Sequence, residues 1–528
     1  MAKRKSLEKE ENNEEWSFGL DSYSIKFLSR ISIFVVLLVI LFVWCSSSII
    51  ISSSTLNLCV LSWKLYNSSS VSIGSSRSTY DKPISLINKT HLSDSEFTRP
   101  MLGKGVDKAK VEEMVKSRKG IEEKVVVLKS YVANSKANDC EGRGIYVYDL
   151  PSKFNKDLVD KCNEMMPWLN FCRYLSNDAM GEPIQGLGNG WYNTHQFSSE
   201  PIFHKRVLVH PCRVYDQEQA KVFYVPFYGA LDMIKCHFSK DDSELKNAHV
   251  LSKEIVEWLE QKKTWRRNSG LDHVFVLGKI TWDFRRKANV PWGSPLLELD
   301  ELQNPIKLLI ERQPWYINEV GVPYPTYFHP KSDEEIIAWQ AEIRQADRRN
   351  LVSFAGTPHK QWENVRSILI KQCTYAPNEC KFVNCGGESC VESSPVVKLF
   401  MESEFCLQPP GDSPTRKSMF DALVVGCIPV VFDPLTAHYQ YPWHFPEDHR
   451  KYSVFIEQEE VRISKVNVIK ELVKVPLKKR EEMRKYIIDE LMPRLVYAHQ
   501  AAKLEKFEDA ITIALNNVLE MGLRRVQV

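Results

Sequence analysis

The stretch FCLQPPGDSPTRKSMFDALVVGCIPVVF, residues 405–432, has the pattern of a strand, a glycine-containing loop, a helix and a second strand. Pro409-Pro410-Gly411 ends the first apolar run. Asp412 or Ser413 is a natural N-cap, and Pro414 suits the first helical turn, where its missing N–H costs nothing. The pattern predicts a helix that continues until Gly426.

A helix start at the carboxyl end of a parallel strand favours an anion, because unpaired N–H groups and the helix dipole point at it. Arg416 and Lys417 place two cations at that positive end, which is unfavourable unless an anion lies between them. We therefore predict that Ser413, Thr415 and Arg416 bind a diphosphate and that Asp421 accepts hydrogen bonds from ribose hydroxyls. The alternative is an ordinary strand–helix crossover with solvated cations.

Similar short apolar runs alternate with helical stretches through the rest of the chain. They begin at Ile145, Lys221, Asp272, Asn350, Glu404 and Gly426. Such alternation is typical of parallel sheets covered on both faces. The alternating stretch is too long for one sheet, so it predicts an α/β protein with two lobes, residues 140–320 and 321–528. The proline-rich stretch 291–330 is the predicted connection, and helices are predicted from 467 to 519.

The N-terminal region predicts a membrane anchor. Residues 31–51 contain no charged side chain, and a helix of that length matches a hydrocarbon core of roughly 30 Å. Lys26 and Arg30 precede the run and the next basic residue is Lys64, which predicts a cytoplasmic tail (1–30) and a luminal C-terminus. A cleaved signal peptide is the alternative.

Residues 52–139 read as a luminal stem because their first half is serine-rich and lacks apolar periodicity. Asn67 and Asn88 are potential glycosylation sites. Helical spacing between Lys108 and Ser135 predicts one short helix.

The chain has 13 cysteines, of which 11 lie from Cys140 onward. In an oxidising lumen they predict disulfides with at least one thiol left over. Cys373, Cys380, Cys385 and Cys390 form a cluster in which a zinc site is the alternative, although close Cys-x-x-Cys pairs are absent.

The formal charge of +3 gives no indication of nucleic-acid binding.

The 405–432 segment resembles the donor-binding motif of the exostosin-like glycosyltransferases, family 47. Further stretches resemble other motifs of that family, in the expected order. They are GRGIYVYDLPSKFN from Gly142, FYVPFYGALD from Phe223, GLDHVFVLGKITWDFRR from Gly270 and RRNLVSFAG from Arg348. The resemblance is strongest to the plant xyloglucan galactosyltransferase branch. Lys279 stands where the family motif has arginine, so a phosphate role for it stays open.

The resemblance implies a GT-B fold, in which two Rossmann-like lobes face a cleft, with the acceptor on the first lobe and a UDP-sugar on the second. It implies inverting transfer of a hexose, preferably galactose, to xyloglucan, and it implies that no metal or other cofactor is needed. The enzyme would be a single-pass type II membrane protein of the Golgi. UDP-galacturonic acid and UDP-arabinose are alternative donors. A non-catalytic subunit of a Golgi transferase complex and a secreted hydrolase with paired carboxylates are alternative functions.

The general base must be a carboxylate or imidazole of the first lobe. Asp283 and Asp272 are preferred over Glu200, Asp232 and His273, the last being more typical of a core histidine. Arg349 and Arg285 are further candidates for the diphosphate. Aromatic residues with a possible sugar-stacking role are Trp191, Tyr192, Tyr224, Phe227 and Trp282.

Overall fold

The computed structural model describes residues 108–133, 140, 142–166, 169–238, 250–286, 293–358, 364–386, 390, 393–463 and 465–527. Strands β1 to β11 are Gly144–Val147, Arg213–Val214, Ala220–Val225, His273–Ile280, Ile306–Glu311, Glu319–Gly321, Asn350–Gly356, Cys380–Asn384, Ser403–Gln408, Ile428–Val431 and Val454–Phe455. Helices α1 to α8 are Lys108–Ser130, Lys156–Asp160, Cys172–Ala179, Ser199–Leu208, Gly229–Phe238, Val250–Glu260, Lys263–Asn268 and Asp333–Gln345. Helices α9 to α15 are Val365–Thr374, Ser394–Met401, Lys417–Val424, Gln458–Arg462, Val468–Val473, Leu477–Tyr486 and Ala510–Val526.

Two parallel sheets form the framework, which confirms the prediction of an α/β protein with two such lobes. The first lobe contains a sheet of order β2-β1-β3-β4-β5-β6, and the second lobe a sheet of order β11-β10-β9-β7-β8. All pairings in both sheets are parallel. The central strands are buried on both faces because helices cover the two sides.

The six apolar runs found in the sequence correspond to β1, β3, β4, β7, β9 and β10. The interpretation of residues 291–330 as a connection was wrong. That stretch contains β5 and β6, which pair with β4 and with each other inside the first sheet. The run IKLLIE is entirely buried, and its proline-rich flanks obscured it.

The two ends of the described chain pack on the lobes. Helix α1 confirms the predicted short helix and is part of the folded unit, since Leu128 lies in the core of the first lobe and its carbonyl accepts a hydrogen bond from Trp443 at 2.8 Å. Helix α15 returns from the second half of the sequence to pack on β3, with Gly522 directly against Val222. The predicted stem therefore ends before α1, and the last helix belongs with the first lobe rather than with the second.

The cysteines pair as disulfides, as predicted, and the zinc alternative is wrong. The pairs are Cys140–Cys212, Cys162–Cys172, Cys373–Cys380, Cys385–Cys390 and Cys406–Cys427. Among the described residues, Cys236 is the buried cysteine outside these pairs.

Within the part of the chain that the structure describes, none of the helices has the length and apolar character needed to cross a bilayer. The predicted anchor at 31–51 and the predicted glycosylation sites Asn67 and Asn88 lie outside the described residues.

Candidate functional site

The loop between β9 and α11, residues 409–416, lies at the carboxyl end of the second sheet. The helix begins at Lys417, with Arg416 as an extended N-cap residue that makes no capping hydrogen bond. The predicted helix start at Asp412 or Ser413 was therefore wrong. The helix ends at Val424, and Gly426 follows with φ +73°, as expected of a residue that stops a helix.

Thr415 joins this loop to the first lobe. Its backbone N–H donates to Glu311 Oε2 at 3.0 Å, and its hydroxyl donates to the same oxygen. The Tyr324 hydroxyl lies 2.9 Å from Thr415 Oγ1. Glu311 ends β5, so the carboxyl edges of the two sheets meet at Thr415. This contact holds Thr415 against the first lobe, Arg416 after it is extended, and the helix begins only at Lys417.

Arg416 and Arg366 converge on Gly411. A Cβ at Gly411 would lie 2.8 Å from one terminal nitrogen of Arg366 and 3.1 Å from one of Arg416. Arg416 donates to the Pro409 carbonyl at 3.3 Å, and Arg366 donates to the carbonyls of Thr357 at 3.2 Å and Pro410 at 3.3 Å. Glycine at 411 therefore permits the close approach of two like charges.

Neither guanidinium forms an ion pair among the described residues, and Nε of Arg366 is buried there without a hydrogen-bond partner. Burial lowers the pKa of both groups, that of Arg416 to about 10. The charge of Arg366 lowers the pKa of Arg416 further, whereas the charge of Asp412 raises the pKa of both. A buried Nε–H without an acceptor beside two guanidinium groups that repel each other is a costly arrangement for a bare protein. A bound dianion would relieve both costs.

Asp283 lies opposite this loop, on the turn after β4. Its side chain is 8% exposed, and Oδ2 is 2.9 Å from Lys279 Nζ. Burial raises the pKa of Glu311, and the charge of Asp283 adds to that shift. Because Ile280 at the end of β4 pairs with Glu311, the turn that carries Asp283 lies at the same edge of the first sheet as Glu311.

Asp421 is buried on α11 and is paired with Lys417, whose Nζ lies 2.8 and 2.9 Å from its two oxygens. A ribose-binding role for Asp421 stays a prediction, and a ribose would have to share this carboxylate with Lys417. Ser413 lies in the loop two residues before Thr415 and acts on Glu311 through a hydrogen bond that lowers the pKa of that carboxyl.

Three predicted site residues lie elsewhere. Arg349 precedes β7 and Asp272 precedes β4, so both lie at the amino edges of their sheets, and Arg349 is roughly 20 Å along the strands from the loop. Arg349 is 63% exposed and pairs with Glu402 at 2.6 Å. The structure does not bring either residue to the loop.

Arg285 is the third. It binds Glu319, and it also pairs with Glu298 at 3.1 Å. Because two carboxylates already neutralise this guanidinium, the structure gives it no cation to offer to a diphosphate.

A family model described as the exostosin GT47 domain matches residues 139–472, which include both sheets, the loop and Arg366. The chain belongs to the exostosin GT47 family. This result confirms the resemblance that the sequence motifs indicated.

Several proteins of Arabidopsis thaliana are similar in sequence to this chain. Xyloglucan-specific galacturonosyltransferase 1 is 54% identical over 418 residues, which are 78% of this chain and 63% of the relative. Probable xyloglucan galactosyltransferase GT20 is 54% identical over 74% of this chain and 69% of the relative. Xyloglucan galactosyltransferase MUR3 is 38% identical over 74% of this chain and 64% of the relative. The chain thus spans about two thirds of the length of these relatives.

A solved structure of a GtfA/B complex matches 52% of this chain and 61% of that chain, at 10% identity and a TM-score of 0.27. So weak a likeness carries no information about the fold of this GT47 chain.

The other base candidates of the GT47 chain have structural roles. Glu200 accepts hydrogen bonds from the backbone N–H groups of Ala230 at 2.7 Å and Gly278 at 3.1 Å, so it fixes the start of α5 against β4. His273 is a core histidine, held between Asp272 at 2.7 Å and the Tyr148 hydroxyl at 2.8 Å. Asp232 is buried within α5.

Among the aromatic candidates, Trp191, Tyr224 and Phe227 are buried core residues, and Tyr192 is half-buried. Trp282, beside Asp283, is 48% exposed. It is therefore the candidate whose ring surface is most available to a sugar.

Sequence reasoning missed Glu311, Tyr324 and Arg366. Arg366 stands two residues after Asn364, whose side chain caps α9, so the Asn-Val-Arg run was a usable signal of a cation at a helix start. Glu311 and Tyr324 carried no local signal, because their role depends on contact with Thr415.

Among the residues that the structure describes, no group of three or more His, Cys, Asp or Glu side chains is arranged to hold a metal ion.

Proposed function

We propose that the chain is an inverting glycosyltransferase that moves a sugar of the galactose type from UDP to xyloglucan without a metal ion. The observation that carries this proposal is the convergence of Arg366 and Arg416 on Gly411 at the edge of the second sheet, where neither forms an ion pair with a carboxylate of the described residues. Family membership supports the reaction class. The names of the relatives, which include xyloglucan galactosyltransferases and a xyloglucan-specific galacturonosyltransferase, support the acceptor.

The proposed reaction is a single displacement. An acceptor hydroxyl oxygen forms a bond to the anomeric carbon while the bond from that carbon to the β-phosphate oxygen breaks. The hydroxyl proton passes to Asp283, and UDP leaves with the bonding electron pair. Arg366 and Arg416 stabilise the negative charge that develops on the diphosphate.

Galactose is the sugar that the branch resemblance favours. Galacturonic acid is the second candidate, because a relative that is 54% identical is named for it. Arabinose stays a further prediction from the sequence.

The test is transfer by the full-length chain from UDP-galactose, UDP-galacturonic acid and UDP-arabinose to xyloglucan oligosaccharides, with EDTA present. We expect product from one of these donors, and the same rate when EDTA is replaced by a divalent cation. UDP at 100 times its dissociation constant should also stabilise the fold by about 2.7 kcal/mol. A chain that shows neither transfer nor stabilisation by UDP would be a non-catalytic subunit instead.

We propose further that the chain is a type II Golgi membrane protein, a location compatible with membership of Golgi transferase complexes. The uncharged run 31–51, the basic residues before it and the five disulfides support a luminal catalytic region. Replacing Asn67 and Asn88 with glutamine should increase electrophoretic mobility to that of the glycosidase-treated protein. Unchanged mobility, with a C-terminal tag open to protease in sealed vesicles, would contradict the luminal assignment.

A further inference from the structure

The carboxyl end of β5 in the first lobe is fastened to the second lobe. Arg312 follows β5 and is buried, and its guanidinium donates two hydrogen bonds to the Tyr439 carbonyl, at 3.0 and 2.7 Å. Its backbone N–H donates to Gln440 Oε1 at 2.9 Å, and Gln440 Nε2 donates to the Arg312 carbonyl at 3.2 Å. Tyr439 and Gln440 lie between β10 and β11. The end of β5 therefore has a fixed position relative to the second sheet.

Glu311, the last residue of β5, holds the 409–416 loop to this fixed strand end. Its buried carboxylate accepts hydrogen bonds from the Thr415 backbone N–H at 3.0 Å and from the Thr415 hydroxyl. The Ser413 side chain is hydrogen-bonded to the same carboxyl group. Because Ser413 and Thr415 stand on either side of Pro414, one carboxylate of the first lobe holds both sides of this turn.

The cations of the loop are held by contacts inside the second lobe. Arg416 donates to the Pro409 carbonyl and to Ser418 Oγ, each at 3.3 Å. Arg366 donates to backbone carbonyls that also belong to the second lobe. The local geometry of the diphosphate site therefore does not depend on Glu311.

Glu311 is also the strand neighbour of the turn that carries the proposed base. It pairs with Ile280, the last residue of β4, and Asp283 lies in the turn Thr281–Phe284 that follows Ile280 directly. Neighbouring strands lie about 4.8 Å apart. One short edge of the first sheet therefore carries the base and, through Glu311, holds the loop of the other lobe.

We propose that Glu311 is a positioning residue, which sets the distance between the sugar donor on the 409–416 loop and the proton acceptor Asp283. This inference rests on the proposed transferase function. The displacement needs the reacting atoms about 3–3.5 Å apart and aligned, and the donor and the base belong to different lobes. Glu311 acts through Thr415 and takes no part in the bonds that form and break.

The experiment compares two substitutions of Glu311 in the full-length chain, with xyloglucan oligosaccharides and whichever of the three UDP-sugars supports transfer. Glu311→Leu removes the acceptor of the Thr415 hydrogen bonds and should lower kcat at least about tenfold, because small displacements of reacting groups slow a reaction strongly. The dissociation constant of UDP, measured by calorimetry, should change less than about threefold, because Arg366 and Arg416 stay in place. Glu311→Gln, whose amide oxygen can accept both Thr415 donors, should recover most of the kcat that Glu311→Leu loses.

Thr415→Val tests the same contact with the carboxylate in place. It keeps the backbone N–H and loses the hydroxyl, so it should lower kcat at least about threefold and leave UDP binding nearly unchanged. The double variant E311L/T415V should be as slow as Glu311→Leu alone, because both changes act through one contact. The control is Tyr497→Phe, which removes a buried hydrogen bond to the Pro323 carbonyl. It should lower the thermal transition and keep kcat within a few-fold of wild type.

The outcomes separate this inference from the proposed function. A folded but inactive Glu311→Gln would overturn the positioning role, because the carboxylate would then act in the chemistry itself. Equal losses of kcat and UDP affinity in Glu311→Leu would also overturn it, since the contact would only keep the loop intact. If Glu311→Leu does not fold, a wild-type kcat in Thr415→Val overturns it. A wild-type chain that neither binds UDP nor transfers sugar would overturn the proposed function instead.

Discussion

Replacing Arg416 with alanine is expected to lower kcat/KM for the UDP-sugar at least tenfold, a loss of about 1.4 kcal/mol of transition-state stabilisation. The guanidinium is half-buried in the loop that follows β9, where a hydrogen bond to a charged group contributes about 1.5–3 kcal/mol. Its effect grows as negative charge develops on the departing diphosphate. Arg366→Ala should have a similar effect, measured by initial rates with xyloglucan oligosaccharides.

Thermal unfolding distinguishes this binding role from a structural one. Without UDP, Arg416→Ala should change the free energy of unfolding by less than about 1 kcal/mol, because relief of repulsion from Arg366 offsets the two lost hydrogen bonds, to Pro409 and to Ser418. With UDP, the variant should lose most of the stabilisation that wild type gains. The matched control is Arg349→Ala, which removes an exposed arginine at the opposite sheet edge. Equal losses of activity in Arg349→Ala and Arg416→Ala would contradict the site.

Asp283→Asn is expected to lower kcat by about 10²–10⁴, the usual contribution of a general base, with little change in KM. The amide keeps the shape of the side chain but cannot take the acceptor proton. The loss is measured by steady-state kinetics with saturating donor.

Two companion variants isolate the chemistry from folding. K279M/D283N removes the whole buried ion pair, so it should fold normally and stay as slow as Asp283→Asn. Asp272→Asn disturbs the buried contact to His273, so it should lower the thermal transition while the folded fraction keeps kcat within a few-fold of wild type. If Asp283→Asn were active and a folded Asp272→Asn were inactive, the base would be Asp272 and not Asp283.

The main strands were predictable because their residues are buried on both faces and therefore read as continuous apolar runs. The direction of each strand also held information that the candidate list did not use. Arg349 and Asp272 directly precede β7 and β4, and a residue that precedes a parallel strand lies at its amino edge. Strand polarity alone therefore argues against both residues as parts of a site at the carboxyl edges.

Other features depend on contacts between distant parts of the chain. The late start of α11 results from Glu311, which lies 104 residues before Thr415 in the sequence. Arg285 looked like an available cation until Glu319 was found beside it. Such features cannot be inferred from spacing along one segment.

The most direct measurement is a structure of the chain with UDP bound. The account predicts that the diphosphate lies over Gly411, with its oxygens about 2.7–2.9 Å from the guanidinium nitrogens of Arg366 and Arg416. A diphosphate bound at another edge of the protein, or one that leaves both arginines without an anionic partner, would contradict the account.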